Sequence, residues 1–301
     1  MHIGMVGLGK MGMNMCRRLM QGGHKVSVYD RSAEAVTQAA SEGALAASSI
    51  AQLTASLPSP RPVWIMLPAG AAVEETINEL KTLLKPDDII IDGGNSLYKD
   101  DLRRAKELKA FGIDYVDAGV SGGIWGLQNG YALMLGADEA VYALLEPVFA
   151  ALAPKDGYMR CGTAGAGHFV KMIHNGIEYG MMEAYAEGFE LLKASQYGGN
   201  LDLAAVSHVW NNGSVVRSWL LELIEDAFSK DKDLASLSGW VDDSGEGRWT
   251  VMEAIERGVN LPVITAALMR RFSSRQQDPF AEKVLAAMRA EFGGHAVKKG
   301  K

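Results

Sequence analysis

The chain has 301 residues, 48% of them hydrophobic and 22% charged, a composition that supports a large packed core and excludes disorder or low complexity as the main story. Its 30 Lys and Arg against 36 Asp and Glu leave a net charge of −6 at pH 7, so no global positive field exists to hold a nucleic acid backbone. Two cysteines, Cys16 and Cys161, are too few for a disulfide framework and lack CxxC spacing, which fits a reducing cytoplasm.

The N-terminus is apolar but has no basic leader, and Gly7, Gly9 and Gly12 interrupt it, so neither a signal peptide nor a transmembrane span is read from it. A cytoplasmic protein without membrane or nucleic-acid partners is expected. The first half then alternates apolar runs with longer helical stretches. In chain order these are strand His2–Leu8, helix Met11–Gln21, strand Lys25–Asp30, helix Ala33–Glu42, strand Pro62–Leu67 and helix Ala71–Leu84. Strand Asp88–Asp92, helix Lys99–Phe111, strands Tyr115–Ala118 and Tyr131–Gly136, helix Glu139–Ala150 and strand Tyr158–Cys161 follow. Such alternation predicts a parallel sheet wrapped by helices. Past Gly167 it stops: Phe169–Ser195 reads as one long helix without proline. Further helices are expected at Leu203–Trp210, Ser214–Asp226, Thr250–Arg257, Leu261–Arg275 and Pro279–Phe292, and a solvated tail at Lys298–Lys301.

Gly7-Leu8-Gly9-Lys10-Met11-Gly12 follows the first strand and opens the first helix, the context that gives a GxGxxG pattern its meaning. The first glycine allows the tight turn, the second lets the backbone approach a pyrophosphate, and the third lets helix and strand pack closely. The phosphates would sit on free amides at the helix N-terminus. Asp30 ends the second strand, where a carboxylate can accept the adenosine ribose hydroxyls and repel a 2′-phosphate. NAD is therefore the expected cofactor, with leakage to NADP because the Arg31 guanidinium stands beside the ribose. Leu67, Pro68 and Asn95, at the ends of later strands, complete the expected cofactor contacts. The fold class is thus an α/β Rossmann-type N-terminal domain, residues 1–164, followed by an all-α domain, residues 165–301, that starts with the long helix and serves substrate binding and oligomerisation.

Two polar loops fall at carboxyl ends of strands, where ligands of such sheets bind: Asp92-Gly93-Gly94-Asn95-Ser96 and Asp117-Ala118-Gly119-Val120-Ser121-Gly122-Gly123. Backbone amides of Gly122 and Gly123 beside the Ser121 hydroxyl make a suitable cradle for a carboxylate, and Asn95 suits a hydroxyl or the nicotinamide amide. Taken singly, each loop is equally well an ordinary turn. In the long helix Lys171, His174, Asn175 and Glu178 fall on one face, at about −60°, +40° and −20° from Lys171 at roughly 100° per residue. Lys171 and Glu178 are about 10 Å apart along the axis at 1.5 Å per residue, room for a small substrate between a base and an acid. Met172, Ile173, Ile177, Met181 and Met182 flank them, so the polar groups belong to a largely buried helix, where charge needs a partner or a task.

GLGKMG at 7–12, DGGNS at 92–96, DAGVSGG at 117–123, GAGHFVKMIHNGIEYG at 165–180 and GEGRWT at 245–250 together resemble the 6-phosphogluconate dehydrogenases, a branch of the β-hydroxyacid dehydrogenases. The resemblance runs from Met1 to about Gln277. It implies NAD(P)-dependent oxidative decarboxylation of 6-phosphogluconate to ribulose 5-phosphate and CO2, in the pentose phosphate and gluconate routes, without a metal. It implies Lys171 as general base and Glu178 as the acid that protonates C1. Ser121, Gly122 and Gly123 would hold the substrate carboxylate, His174 and Asn175 its hydroxyls, and Tyr179 its phosphate. A lysine base must be neutral, which requires burial or nearby positive charge to lower its pKa.

The chain resembles the short form of the family: long members continue through a further helical half whose tail supplies phosphate ligands to the partner subunit. Ser244 also stands where long members place a phosphate-binding lysine. Arg270 is then the first candidate for the phosphate, ahead of Arg248, Arg271 and Arg275. Trp210, Trp219, Trp240 and Trp249 read as core or interface. A homodimer or homotetramer is implied. The nearest rival is a dehydrogenase of another β-hydroxy acid such as 3-hydroxyisobutyrate; a binding protein without turnover is a further one.

Overall fold

A computed structural model describes residues 1–294, 296 and 298. Lys298 is exposed, and the rest of the expected C-terminal tail, 299–301, lies outside the described residues. The elements are β1 His2–Val6, α1 Lys10–Gln21, β2 Lys25–Tyr29, α2 Ala33–Ser41, β3 Leu45–Ala46, α3 Ile50–Ala55, β4 Pro62–Ile65, α4 Ala71–Leu83 and β5 Ile89–Asp92. Then come α5 Tyr98–Lys109, β6 Asp114–Ser121, a 3₁₀ turn at Gly123–Trp125, α6 Gly126–Asn129, β7 Ala132–Gly136, α7 Glu139–Leu152 and β8 Tyr158–Gly162. Helices α8 Ala166–Ala194, α9 Leu203–Asn211, α10 Trp219–Lys230, α11 Glu246–Arg257, α12 Pro262–Ser274 and α13 Phe280–Gly293 complete the chain.

The eight strands form one sheet in the order β3-β2-β1-β4-β5-β6-β7-β8. β1 to β6 run parallel, as the alternating sequence predicts. β7 instead lies antiparallel to β6, with Asp117 opposite Gly136 and Ser121 opposite Ala132. The reason is length: residues 122–131 are fewer than the dozen or so that a parallel crossover needs. β3 and α3 escape the periodicity reading because each is shorter than a full pattern. Ser49 nevertheless starts α3 by accepting the Gln52 N–H at 3.1 Å. Helix α10 begins at Trp219 rather than Ser214, because Ser218 takes the cap position and accepts the Leu221 N–H at 3.1 Å.

The central strands are buried on both faces. Ile3, Met5, Trp64, Ile89 and Ile91 pack with α1 and α7 residues such as Leu19 and Phe149, while Val63, Ile65 and Ile90 pack with Leu53, Leu80 and Leu108. Two-sided burial is why these strands read as continuous apolar runs.

The chain divides into two compact units, Met1–Asn175 and Gly176–Lys301, so the first turns of α8 belong with the sheet and its remainder with the later helices. The second unit has smaller apolar clusters. One joins Tyr179, Ala267 and Leu268; another joins Phe189, Leu203 and Leu221 with Trp210 and Phe228 packed against them. Trp210 is thus core, stacked at 5.6 Å on Phe189, whereas Trp219 and Trp240 are exposed. No helix among the described residues is long and apolar enough to cross a membrane.

Candidate active site

The strand order reverses between β1 and β4, the point at which such sheets open a crevice at their carboxyl edge. Gly7 follows β1 with φ +97°, and a Cβ there would lie 2.4 Å from the Met66 carbonyl oxygen. Gly12 packs as tightly, its Cβ position 2.1 Å from the Gly7 oxygen. At Gly9, by contrast, an added Cβ would meet nothing within 4 Å, and no side chain caps the start of α1. Tight packing on both sides of an open cradle at a helix N-terminus fits a pyrophosphate. Lys10 and Met11 form the first turn of α1, with Leu8 buried behind them.

Asp30 stands at the end of β2, where its Oδ2 accepts the Leu8 N–H at 2.6 Å and its Oδ1 the Ser32 N–H at 2.7 Å. Two backbone donors thereby fix the carboxylate beside the glycine turn, and each oxygen keeps a lone pair for a ribose hydroxyl. Arg31 next to it is exposed. Leu67 and Pro68 follow β4 on the same edge, and the Leu67 carbonyl lies 2.7 Å from where a Gly94 Cβ would stand.

The DGGNS loop is held from below. Asp92 is fully buried, accepts the Gly94 N–H at 3.0 Å and the Ser96 hydroxyl at 2.6 Å, and so presents Asn95 exposed at the rim. Ser121 ends β6, half-buried, with its Oγ 3.5 Å from His174 Nε2; Gly122 and Gly123 follow it. Lys171 is only 5% exposed, and its Nζ donates to Asn175 Oδ1 at 2.7 Å. The same oxygen lies 3.1 Å from His174 Nδ1, so one amide connects the amine and the imidazole. Gly119 makes this approach feasible, since a Cβ there would fall 2.4 Å from the Lys171 Cβ. The first unit therefore brings Ser121, Lys171, His174 and Asn175 together as the sequence predicts.

Further along α8 stand Glu178, half-buried, and Tyr179, buried. Within the second unit the Tyr179 hydroxyl accepts the Ser244 N–H at 3.2 Å and lies 3.4 Å from the Ser244 hydroxyl. Arg271 lays its guanidinium 3.7 Å from the Tyr179 ring centroid and donates to the Asp242 carbonyl at 2.7 Å. Arg270, the expected phosphate ligand, is not brought to Tyr179. It is exposed and faces Glu183 at 3.6 Å and Glu190 at 4.0 Å. Adjacent helical residues differ by about 100° in direction, so only one of the pair can face the tyrosine, and that one is Arg271. Arg248 and Arg275 both bond Asp243, at 2.7 and 2.9 Å, and chiefly the Arg248 hydrogen bond brings its carboxyl down to about 2.

Sequence reasoning ranked Arg271 behind Arg270 and missed three other contributors. Asp117 accepts the Gly165 N–H at 2.6 Å and the His168 N–H at 2.8 Å, capping the entry to α8, and His168 pairs with Asp101 at 2.7 Å. Asp117 and His168 lie inside motifs already singled out, but only contacts distant in sequence show what they hold.

A sheet with a dinucleotide cradle, followed by a helix bearing a buried lysine–asparagine pair, defines the β-hydroxyacid dehydrogenase class. The family model described as the NAD binding domain of 6-phosphogluconate dehydrogenase matches residues 2–165, and that of the 6-phosphogluconate dehydrogenase C-terminal domain matches 167–299. The NAD(+)-dependent, decarboxylating 6-phosphogluconate dehydrogenase of Haloferax volcanii is 44% identical over 301 residues, covering 99% of each chain. Among solved structures, Plasmodium falciparum 6-phosphogluconate dehydrogenase superposes with a TM-score of 0.83 at 29% identity, covering all of this chain and 67% of that one. A Salmonella typhimurium 3-hydroxyisobutyrate dehydrogenase gives 0.76 at 25% identity, covering 90% and 93%. The chain belongs to the 6-phosphogluconate dehydrogenase family.

Proposed function

We propose that this chain oxidatively decarboxylates 6-phosphogluconate to ribulose 5-phosphate and CO2, with NAD as preferred acceptor and NADP as a weaker one. The observation that carries the reading is the buried Lys171 amine hydrogen-bonded to Asn175 beside the Ser121 loop. The dinucleotide, when bound, supplies the hydride acceptor. Lys171 takes the C3 hydroxyl proton as hydride leaves C3, giving the 3-keto acid. It then returns a proton to the carbonyl oxygen while the C1–C2 bond of the keto acid breaks, releasing CO2 and leaving an enediol. Glu178 protonates that enediol at the carbon that bore the carboxylate, which is C1 of the product, while Lys171 takes the proton from the neighbouring hydroxyl, so that the ketone ribulose 5-phosphate forms. Ser121 with the Gly122 and Gly123 amides receives the substrate carboxylate, His174 and Asn175 its hydroxyls, and Asn95 the rim of the site. Tyr179 with Arg271 takes the phosphate in place of Arg270.

Preference for NAD is supported by the Asp30 carboxylate, fixed where a 2′-phosphate would have to sit. The Plasmodium enzyme, whose structure was described with NADP+, marks the contrast. A homodimer or homotetramer is supported by the apolar side chains that α8 leaves exposed, Ile177, Met181, Met182 and Leu191. Light scattering reads the assembly directly. A cytoplasmic location is supported by the two free cysteines, Cys16 and Cys161, and a place in pentose phosphate metabolism follows from the proposed reaction.

The test is a substrate panel: kcat/KM for 6-phosphogluconate with NAD should exceed that for 3-hydroxyisobutyrate and that with NADP. Preference for 3-hydroxyisobutyrate would move the chain to the other branch of the class.

A further inference from the structure

Beneath the loops that carry Asn95 and Ser121 lies a set of buried charges that the reaction scheme does not use. Asp92, Asp101 and Asp117 are each 0% exposed, Arg104 2% and His168 1%. Asp101 accepts from His168 Nδ1 at 2.7 Å with one oxygen and from the Tyr115 hydroxyl at 2.7 Å with the other. Arg104 donates to Asp92 at 3.2 Å and lies 3.7 Å from Asp101. With a neutral imidazole, three carboxylates would face one guanidinium, a balance of −2; an imidazolium reduces it to −1. Burial opposes that proton, but Asp101, Asp92 and Asp117 outweigh it and hold His168 above the ordinary histidine range.

The network has two mechanical ends. At one, Asp92 grips Gly94 and Ser96 of the DGGNS loop; at the other, Asp117 and Asp101 grip the backbone and side chain of His168, one helical turn before Lys171. Asp92, Asp101 and His168 offer ligand-type atoms within 4.8 Å of one another, yet Arg104 already donates to Asp92 and the Tyr115 hydroxyl to Asp101, so protons rather than a metal ion organise them. His168 Nε2 is buried with no hydrogen-bond partner among the described residues. Such a group costs free energy, and buried ion networks are often replaced by apolar packing without loss of stability. A role beyond stability accounts for keeping it.

We propose that the His168–Asp101 pair is a positioning pair for the reaction: it locks the first turn of α8 to the 92–96 loop and so holds Lys171 in one register against β6, where it meets Gly119. The proposal rests on Lys171 being the base.

The experiment compares His168→Gln, Asp101→Asn, the double variant and Tyr115→Phe with the wild type, in two readouts. With 6-phosphogluconate and NAD, each of the first two should lower kcat about 10–100-fold while both KM values stay within about threefold, and the double should be no worse than the poorer single. Acetylation of Lys171, followed by peptide mass spectrometry without substrate, should run at least about tenfold faster in both singles at unchanged global melting. Unaltered kcat together with unaltered Lys171 labelling overturns the pair's role. Should His168→Gln fail to fold, Tyr115→Phe, which removes the hydroxyl that bonds Asp101 at 2.7 Å and lies 3.3 Å from Asp92, decides: labelling and kcat both within twofold of wild type overturn it. A wild type that leaves 6-phosphogluconate unreacted overturns the proposed function instead, and the labelling readout then judges the pair alone.

Discussion

The two units handle charge in opposite ways. In the first, Asp101, Asp117 and His168 are buried and bonded across separate elements, Lys171 is buried and bonded to Asn175 along α8, and a Cβ at Gly119 would fall 2.4 Å from the Lys171 Cβ. In the second, the cations lie near the surface. Arg248 and Arg275 share Asp243 and flank the Phe272 ring at 4.4 and 5.2 Å, while Arg271 rests on Tyr179. Proton transfer tolerates little displacement, and a misplacement of about 1 Å can cost 10²-fold. Holding a phosphate needs positive charge within reach, which stacked guanidiniums supply without a rigid frame. We infer from the contrast that the buried frame around Lys171 chiefly governs kcat, whereas the Arg271–Tyr179 pair chiefly governs KM.

Four perturbations sharpen or break that contrast. Lys171→Met should lower kcat by about 10² to 10⁴, the span for a removed general acid–base group, with little change in NAD affinity measured by fluorescence titration. Gly119→Ala comes next: its methyl would intrude on Lys171, so a loss of about 1–3 kcal/mol in thermal or denaturant unfolding should accompany a fall in kcat. Arg271→Ala should raise the 6-phosphogluconate KM about tenfold with kcat nearly kept, whereas Arg270→Ala should change it less than about twofold. Reversal of that order would restore Arg270 to the phosphate. The smallest effect concerns Asp243. Its folded carboxyl, lowered to about 2, lies below the ordinary value near 3.9, so its contribution to stability is full above pH ~4 and lost as pH falls through about 2. The melting difference between wild type and Asp243→Asn should therefore shrink over that window, and a difference constant from pH ~5 to pH ~2 would remove the pair from the stability account.

Much of the fold is legible because β1, β4 and β5 are buried on both faces and their helices have clear apolar stripes. The antiparallel β7 was not, since strand direction depends on a connection length that periodicity does not report. At the site, GLGKMG and the Lys171–Asn175 spacing speak through local geometry alone. Arg271 is illegible for the opposite reason: choosing between two adjacent arginines requires knowing which side of α12 meets Tyr179. His168 is harder still, because its partners come from α5 and β6 and its pKa is raised only by carboxylates that folding buries around it.

The most direct measurement follows reduced nicotinamide and CO2 together as the wild-type protein meets 6-phosphogluconate and NAD. The account predicts one CO2 released per cofactor reduced. Cofactor reduction without CO2, or no reaction with this substrate, would contradict it.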